Sequence, residues 1–343
     1  MRLTAGASRA PEISVSLLTL LVLGTVLLSC ESKETGSGLE EPAHGAFWST
    51  PVSKEVEPSR SRKNASKATR VVLLGSGTPV PDPLRSGPAV VVLSQGRSYL
   101  VDFGPGVVRR ATAAQRRGLR ELDIRTLTRI FVTHLHSDHT AGYPDLILTP
   151  AVAGRADPLQ VYGPPGIRHM TEAVQEAFRE DFESRRRQID HKDMRGYLVE
   201  PHEVKPGLVY QDDAVRVIAF AVKHGAWENA YGYRFETPDR SIVISGDTAP
   251  TDAVIEACNG CDLLMHEVYC KAGFDRGGPD WKSYHSTYHT STVELARIAE
   301  KARPKLLVLY HLLFFGCSEQ RLLSEVRREY QGRVALGRDL AVY

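Results

Sequence analysis

The stretch Thr133-His134-Leu135-His136-Ser137-Asp138-His139 sets three imidazoles and a carboxylate within the six positions 134–139. Such donors suit a borderline-soft divalent cation, Zn²⁺ foremost, with Mn²⁺ or Fe²⁺ also compatible. His134 and His136 lie two apart beyond an apolar run, so in an extended segment both rings face one side. Asp138 and His139 follow where the chain should turn into a helix near Thr140, and they point at a second position beside the first. One short motif cannot close two metal sites. The missing donors are sought where other apolar runs break into loops, which is where sites are built on α/β scaffolds. Three stand there: His224 in AVKHG, Asp247 in VISGDTAP and His311 in LVLYHL.

These residues need elements to carry them. Residues 71–74, 89–93 and 98–102 read as strands, rich in β-branched and apolar side chains. A helix over residues 107–117 ends at Gly118, and the strand 129–133 feeds the histidine motif. Further strands are expected at 159–162, 215–222, 230–236, 241–245, 262–266 and 305–309. One charged helix should follow Pro164-Pro165 and reach to about Arg186, with others over 292–301 and 319–329, and short strands close the chain. Alternation of this kind is mixed α/β, with too many strands for one doubly wound sheet.

At this point the pattern is recognisable. HxHxDH at 134–139, His224, Gly246-Asp247-Thr248 and His311 resemble the metallo-β-lactamase-fold hydrolases. LLGSGTPVP, YLVDFGPG, VYGPPG, YGYRFE, LLMHE, YHTSTVELA and GRDL look like the branch holding ribonuclease Z and the arylsulfatase-like enzymes. The resemblance covers about Arg70 to Tyr343 and implies an αββα four-layer sandwich with metals at one rim. It further implies two Zn²⁺, one on His134, His136 and His224 and one on Asp138, His139 and His311, bridged by Asp247. A hydroxide bridging the two ions would be the nucleophile. Asp138 and His289 would be catalytic, His289 assisting the leaving group, with His285 its rival by sequence. His266, Glu267 and Asp102 are expected to orient the metal-bound residues.

Departures narrow the branch. Asp247 stands where β-lactamases of the commonest type carry a Cys ligand, and His136 stands where flavo-diiron proteins carry Glu. Only FETPDR joins the YGYRFE strand to the GDT strand, so the long arm by which ribonuclease Z grips transfer RNA is missing. The basic run Arg185-Arg186-Arg187 is interleaved with Glu180, Asp181, Glu183 and Asp190 and reads as a solvated helix end. Tyr143 and Trp227 would either line the site or pack. The expectation is a dinuclear zinc hydrolase of a small-molecule ester, an aryl sulfate or a phosphodiester. Nucleic acid is argued against as a partner. The alternatives are a ribonuclease Z-like endonuclease and a non-catalytic metal-binding lipoprotein. A homodimer would follow the superfamily by analogy.

The 343 residues are 42% hydrophobic and 24% charged with a net charge of +2, so bulk charge names no partner. Residues 1–29 read as a signal peptide, with Arg2 and Arg9 before the apolar run 13–28. Leu27-Leu28-Ser29-Cys30 resembles a bacterial lipobox. It implies an exported chain anchored in a bilayer through an acylated Cys30 and facing the periplasm or exterior. Residues 30–69 are a Ser-, Lys-, Glu- and Pro-rich tether, in which Phe47-Trp48 could dock, and 70–343 form the hydrolase domain. Cys258 and Cys261 are expected as a local disulfide or two inert thiols, since no second CxxC accompanies them.

Overall fold

The computed structural model describes residues 68–188 and 194–343. The leader, Cys30 and the Phe47-Trp48 pair lie outside these residues. No described helix is long and apolar enough to cross a membrane.

The first half contains β1 (Arg70–Gly75), β2 (Ala89–Ser94), β3 (Arg97–Val101), α1 (Val107–Arg116) and β4 (Arg129–Phe131). It continues through α2 (Ser137–Thr140), α3 (Tyr143–Val152), β5 (Leu159–Gly163), α4 (Ile167–Ala177), α5 (Arg179–Gln188) and β6 (Val199–Glu203). The second half begins with β7 (Gly207–Gln211), β8 (Arg216–Ala221), β9 (Tyr231–Glu236), β10 (Ser241–Ile244) and α6 (Asp252–Cys258). It ends with β11 (Leu263–Tyr269), α7 (Lys271–Phe274), α8 (Pro279–Tyr288), α9 (Thr292–Ala302), β12 (Leu307–Leu313), α10 (Glu319–Glu329), β13 (Val334–Leu336) and β14 (Ala341–Val342).

Two seven-stranded sheets result, ordered β14-β1-β2-β3-β4-β5-β6 and β13-β12-β11-β10-β9-β8-β7. Strand β1 shows why the layers stack as they do. Its Val71 and Leu73 enter the core between the sheets, while Val72 and Leu74 enter the core under the outer helices. A strand buried on both faces must be apolar throughout, which is why RVVLLG reads as a continuous run. A third core, holding Leu264, Leu295 and Leu309, lies under the helices of the second sheet. Helix, sheet, sheet, helix is the αββα sandwich that the resemblance implies.

Some boundaries differ from the sequence expectation in ways that matter. Strand β12 runs past Leu309 to Leu313, so His311 is inside the strand. It sits where the β11–β12 register shifts: Tyr310 pairs with Glu267 and Leu312 with Val268. Its φ of 46° marks the local break in pleating. Likewise β11 extends to Tyr269 and carries Glu267 within it. The charged helical region is two helices, α4 and α5, and its basic run is paired locally, Arg185 with Asp181 and Arg186 with Glu183.

Candidate metal centre

Each donor residue is delivered by a strand end or a break in a strand. Thr133 to His139 leave β4 and enter α2. His224 follows β8, and Asp247 follows β10 after Gly246 at φ 62°. A Cβ at Gly246 would lie 2.7 Å from the Tyr231 carbonyl oxygen and 3.0 Å from Thr133, so glycine lets the Asp247 loop close on the histidine motif.

The side chains converge into two clusters. In the first, Nδ1 of His136 lies 3.0 Å from Nε2 of His134 and 3.0 Å from Nε2 of His224. The outer nitrogens of the latter two are engaged: Nδ1 of His134 meets the Thr133 hydroxyl at 3.0 Å, and Nδ1 of His224 donates to the Tyr288 carbonyl at 2.8 Å. In the second cluster, Nε2 of His311 lies 3.1 Å from Asp138 and 3.3 Å from Asp247. Nε2 of His139 lies 3.6 Å from Asp138 and 3.3 Å from the other oxygen of Asp247. Asp247 thus reaches both clusters, since its carboxylate also groups with His134.

This donor set fits divalent cations. Nε2 of His139 and Oδ1 of Asp247 are buried and, though 3.3 Å apart, make no well-aligned hydrogen bond, an expensive state for polar atoms unless something else is bound there. Two sets of three donors, His134/His136/His224 and Asp138/His139/His311, each gather within 4.8 Å. One detail works against the fit. The Trp227 indole donates to Nε2 of His136 at 2.6 Å, so a neutral ring there carries its proton on Nδ1, the nitrogen facing the other two imidazoles. Loading a cation requires that proton to move to Nε2 or to leave.

The electrostatics separate the clusters. Burial pushes His134 well below the ordinary histidine value and His224 down to about 4. Burial acts on His139 in the same sense, but Asp247, Asp138 and Asp102 outweigh it and hold the ring well above its ordinary value. Asp102 achieves this from a left-handed backbone (φ 59°), accepting from the Thr133 amide at 2.8 Å and meeting His139 Nδ1 at 2.8 Å. It is the orienting residue the sequence suggests. Asp247 stays well below the carboxylate range despite burial, because His311 and His139 face it.

His289 and His285 part company. Nδ1 of His289 is 3.4 Å from Glu267 and 3.9 Å from Asp247, and burial lowers the ring to about 4. His285 instead packs between Trp281 and Phe315, with ring centroids 4.3 and 4.8 Å away. Glu267 accepts the backbone amides of Thr290 at 2.9 Å and Thr248 at 3.3 Å. Burial, then Asp247, raises its carboxyl well above the usual range. His266, expected beside it as an orienter, bonds the Glu267 carbonyl at 2.6 Å rather than a metal-facing histidine, because neighbours on a strand point to opposite faces. Tyr143 is packing: it stacks on Phe103 at 4.5 Å and its hydroxyl meets Thr171. Cys258 pairs with Cys261, and a second disulfide joins Cys270 to Cys317.

Known proteins agree with this geometry. The β-lactamase superfamily domain matches residues 97–312. A ribonuclease Z of Mycobacterium marinum is 33% identical over 276 residues, 79% of this chain and 96% of that protein. Another, of Mycobacterium sp. strain KMS, is 36% identical over 246 residues, 71% and 84% of the two chains. The crystal structure of human tRNase Z, short form, superposes with a TM-score of 0.57 at 27% identity, covering 80% of this chain and 98% of that one. A metallo-β-lactamase fold protein of Bacillus subtilis gives 0.61 at 20% identity, covering 80% and 98%. These relatives overturn the expectation that nucleic acid is no partner. The Mycobacterium marinum ribonuclease Z aligns over 96% of its own length, so the missing arm does not separate this chain from it. The chain belongs to the metallo-β-lactamase superfamily and is a metal-dependent hydrolase acting on ester bonds.

Proposed function

We propose that the chain hydrolyses phosphodiester bonds of RNA with two divalent cations, zinc by the character of the donors. The observation that carries this reading is the pair of donor clusters sharing Asp247 in a chain 33% identical to a ribonuclease Z along 96% of that enzyme. The relatives' names favour a phosphodiester over the aryl sulfate that the sequence also allowed. His134, His136 and His224 would hold one ion, Asp138, His139 and His311 the other, and Asp247 both. Bound there, the ions would acidify a water molecule and neutralise charge developing on the phosphoryl oxygens.

The protein's own groups do the rest. Asp138 also faces a groove of about 500 Å³ lined by Thr78, Pro105 and Ser137, and its carboxylate accepts the proton of the attacking water. His289 gives a proton from Nε2 to the departing oxygen. Glu267 stands behind that ring, 3.4 Å from Nδ1, with its carboxyl held above the usual range first by burial and then by Asp247.

Export through an acylated Cys30 belongs to the same proposal. Two disulfides in one domain support an oxidising compartment.

The test is metal content and turnover of purified residues 30–343 with Cys30 replaced, beside His136→Ala. Single-stranded RNA, an aryl phosphodiester and an aryl sulfate are compared. Two zincs and variant-sensitive cleavage of RNA are expected. Turnover confined to the aryl sulfate would overturn the reading.

A further inference from the structure

We propose that Tyr284 is a stacking platform for the nucleobase beside the scissile phosphate; this rests on the RNA reading above. Helix α8 has no buried residue, yet it carries aromatic rings on two faces. On one, Trp281 packs against Phe315 at 4.5 Å and fixes the helix to the body. On the other, Tyr284 and Tyr288, one turn apart, stack with centroids 4.4 Å apart at 24°. Tyr288 in turn lies 5.0 Å from the ring of His224 and 6.3 Å from His136, and its carbonyl takes the His224 proton. A ladder of rings therefore climbs from the metal-binding histidines to the surface and ends on Tyr284.

That last ring is 50% exposed, among the few large apolar groups so placed. One face is covered by Tyr288 and one edge meets His285 at 5.1 Å, which leaves the opposite face to solvent. Its phenol is raised first by burial, then by Tyr288, and also by Asp138 and Asp247, so it lies within electrostatic reach of the metal-binding carboxylates. A stable core does not need a tyrosine held half in water at the rim of its site. A nucleic-acid strand does need such a surface: stacking accepts any base and positions the backbone next to it. Tyr284 would orient the strand, and RNA would be gripped here without a separate arm.

The experiment measures KM and kcat of the metal-loaded mature chain on a single-stranded oligoribonucleotide and on the same strand with an abasic ribose beside the cleaved bond. Wild type, Tyr284→Ala and Tyr284→Phe are compared. Tyr284→Ala should raise KM on the ordinary strand by roughly five- to 150-fold, the scale of one base–aromatic stack. On the abasic strand the loss should largely vanish, and Tyr284→Phe should recover most of the affinity. An equal loss on both strands, no loss on either, or a Phe variant no better than Ala would overturn the platform while leaving the nuclease standing. If the metal-loaded wild type cleaves neither strand, the RNA reading falls and the platform with it.

Discussion

The two donor clusters use similar residues but hold them in opposite states. His134 and His224 are backed by neutral acceptors, a hydroxyl and a carbonyl, and burial keeps them uncharged. His139 is backed by the carboxylate of Asp102 and faces two more, so it keeps its proton against the same burial. Burial thus favours neutral rings in the imidazole cluster, whereas the carboxylates favour the protonated rings of His139 and His311 in the mixed one. What stands behind a histidine, more than the histidine itself, decides whether a metal enters an open lone pair or must displace a proton.

Asp247 is the one group common to both, so its removal should erase the contrast. Asp247→Ala is expected to lower bound metal at both positions and turnover by roughly a thousandfold or more, the several kcal/mol that a metal supplies to a transition state. Two metals retained at full occupancy would show that the clusters stand independently. Asp102→Asn should act on one side only. It keeps the shape of the acceptor but removes the charge behind His139, so metal affinity should fall roughly ten- to 100-fold in the mixed cluster and change little in the other. Competition with a chromophoric chelator resolves the two affinities.

Much of this was legible in sequence because the donors occupy positions that strand patterning exposes. His134 and His136 follow an apolar strand directly, and Asp247 follows another, so strand patterning singled them out while the family resemblance implied their grouping. His311 was found for an inexact reason: it lies inside β12 at a register shift, not after it. Glu267 shows the reverse problem. Once the strand is allowed to run on to Tyr269, alternation sends His266 away from the site and Glu267 into it. Helix α8 left no trace because DWKSYHSTY has no apolar periodicity and buries nothing. The Trp227–His136 bond spans 91 residues and the Cys270–Cys317 disulfide 47, and no local pattern encodes either. The nucleic-acid error came from weighing a missing insertion and the expected export of the chain against the rest of the pattern.

The protonation contrast itself can be measured. His136→Ala leaves the mixed cluster and His311→Ala leaves the imidazole cluster, and each can be titrated with zinc by calorimetry in buffers of different ionisation enthalpy. A histidine held above its ordinary value is charged at neutral pH and must release its proton when a metal binds. His311→Ala should therefore release none, and His136→Ala between one and two, since Asp247 and Asp138 hold both His139 and His311 above the ordinary value. The sign fixes the pH response: zinc affinity of the mixed cluster falls as pH drops through neutrality, while His224 resists protonation until about 4. Equal proton release from both variants would remove the distinction.

The smallest effect expected is also the only gain. Trp227 holds Nε2 of His136 as an acceptor and so keeps the ring's proton on the nitrogen that a metal needs. Trp227→Phe preserves an aromatic body beside His136 and deletes the indole donor, leaving Nε2 free to take the proton. A single hydrogen bond contributes about 0.5–1.5 kcal/mol net, so zinc should bind the imidazole cluster roughly two- to tenfold more tightly in this variant. The mixed cluster, which Trp227 does not touch, should keep its affinity. Weaker zinc binding in Trp227→Phe would mean instead that the indole steadies His136 in the orientation a metal requires. The imidazole cluster would then depend on a partner behind its histidine as much as the mixed cluster depends on Asp102.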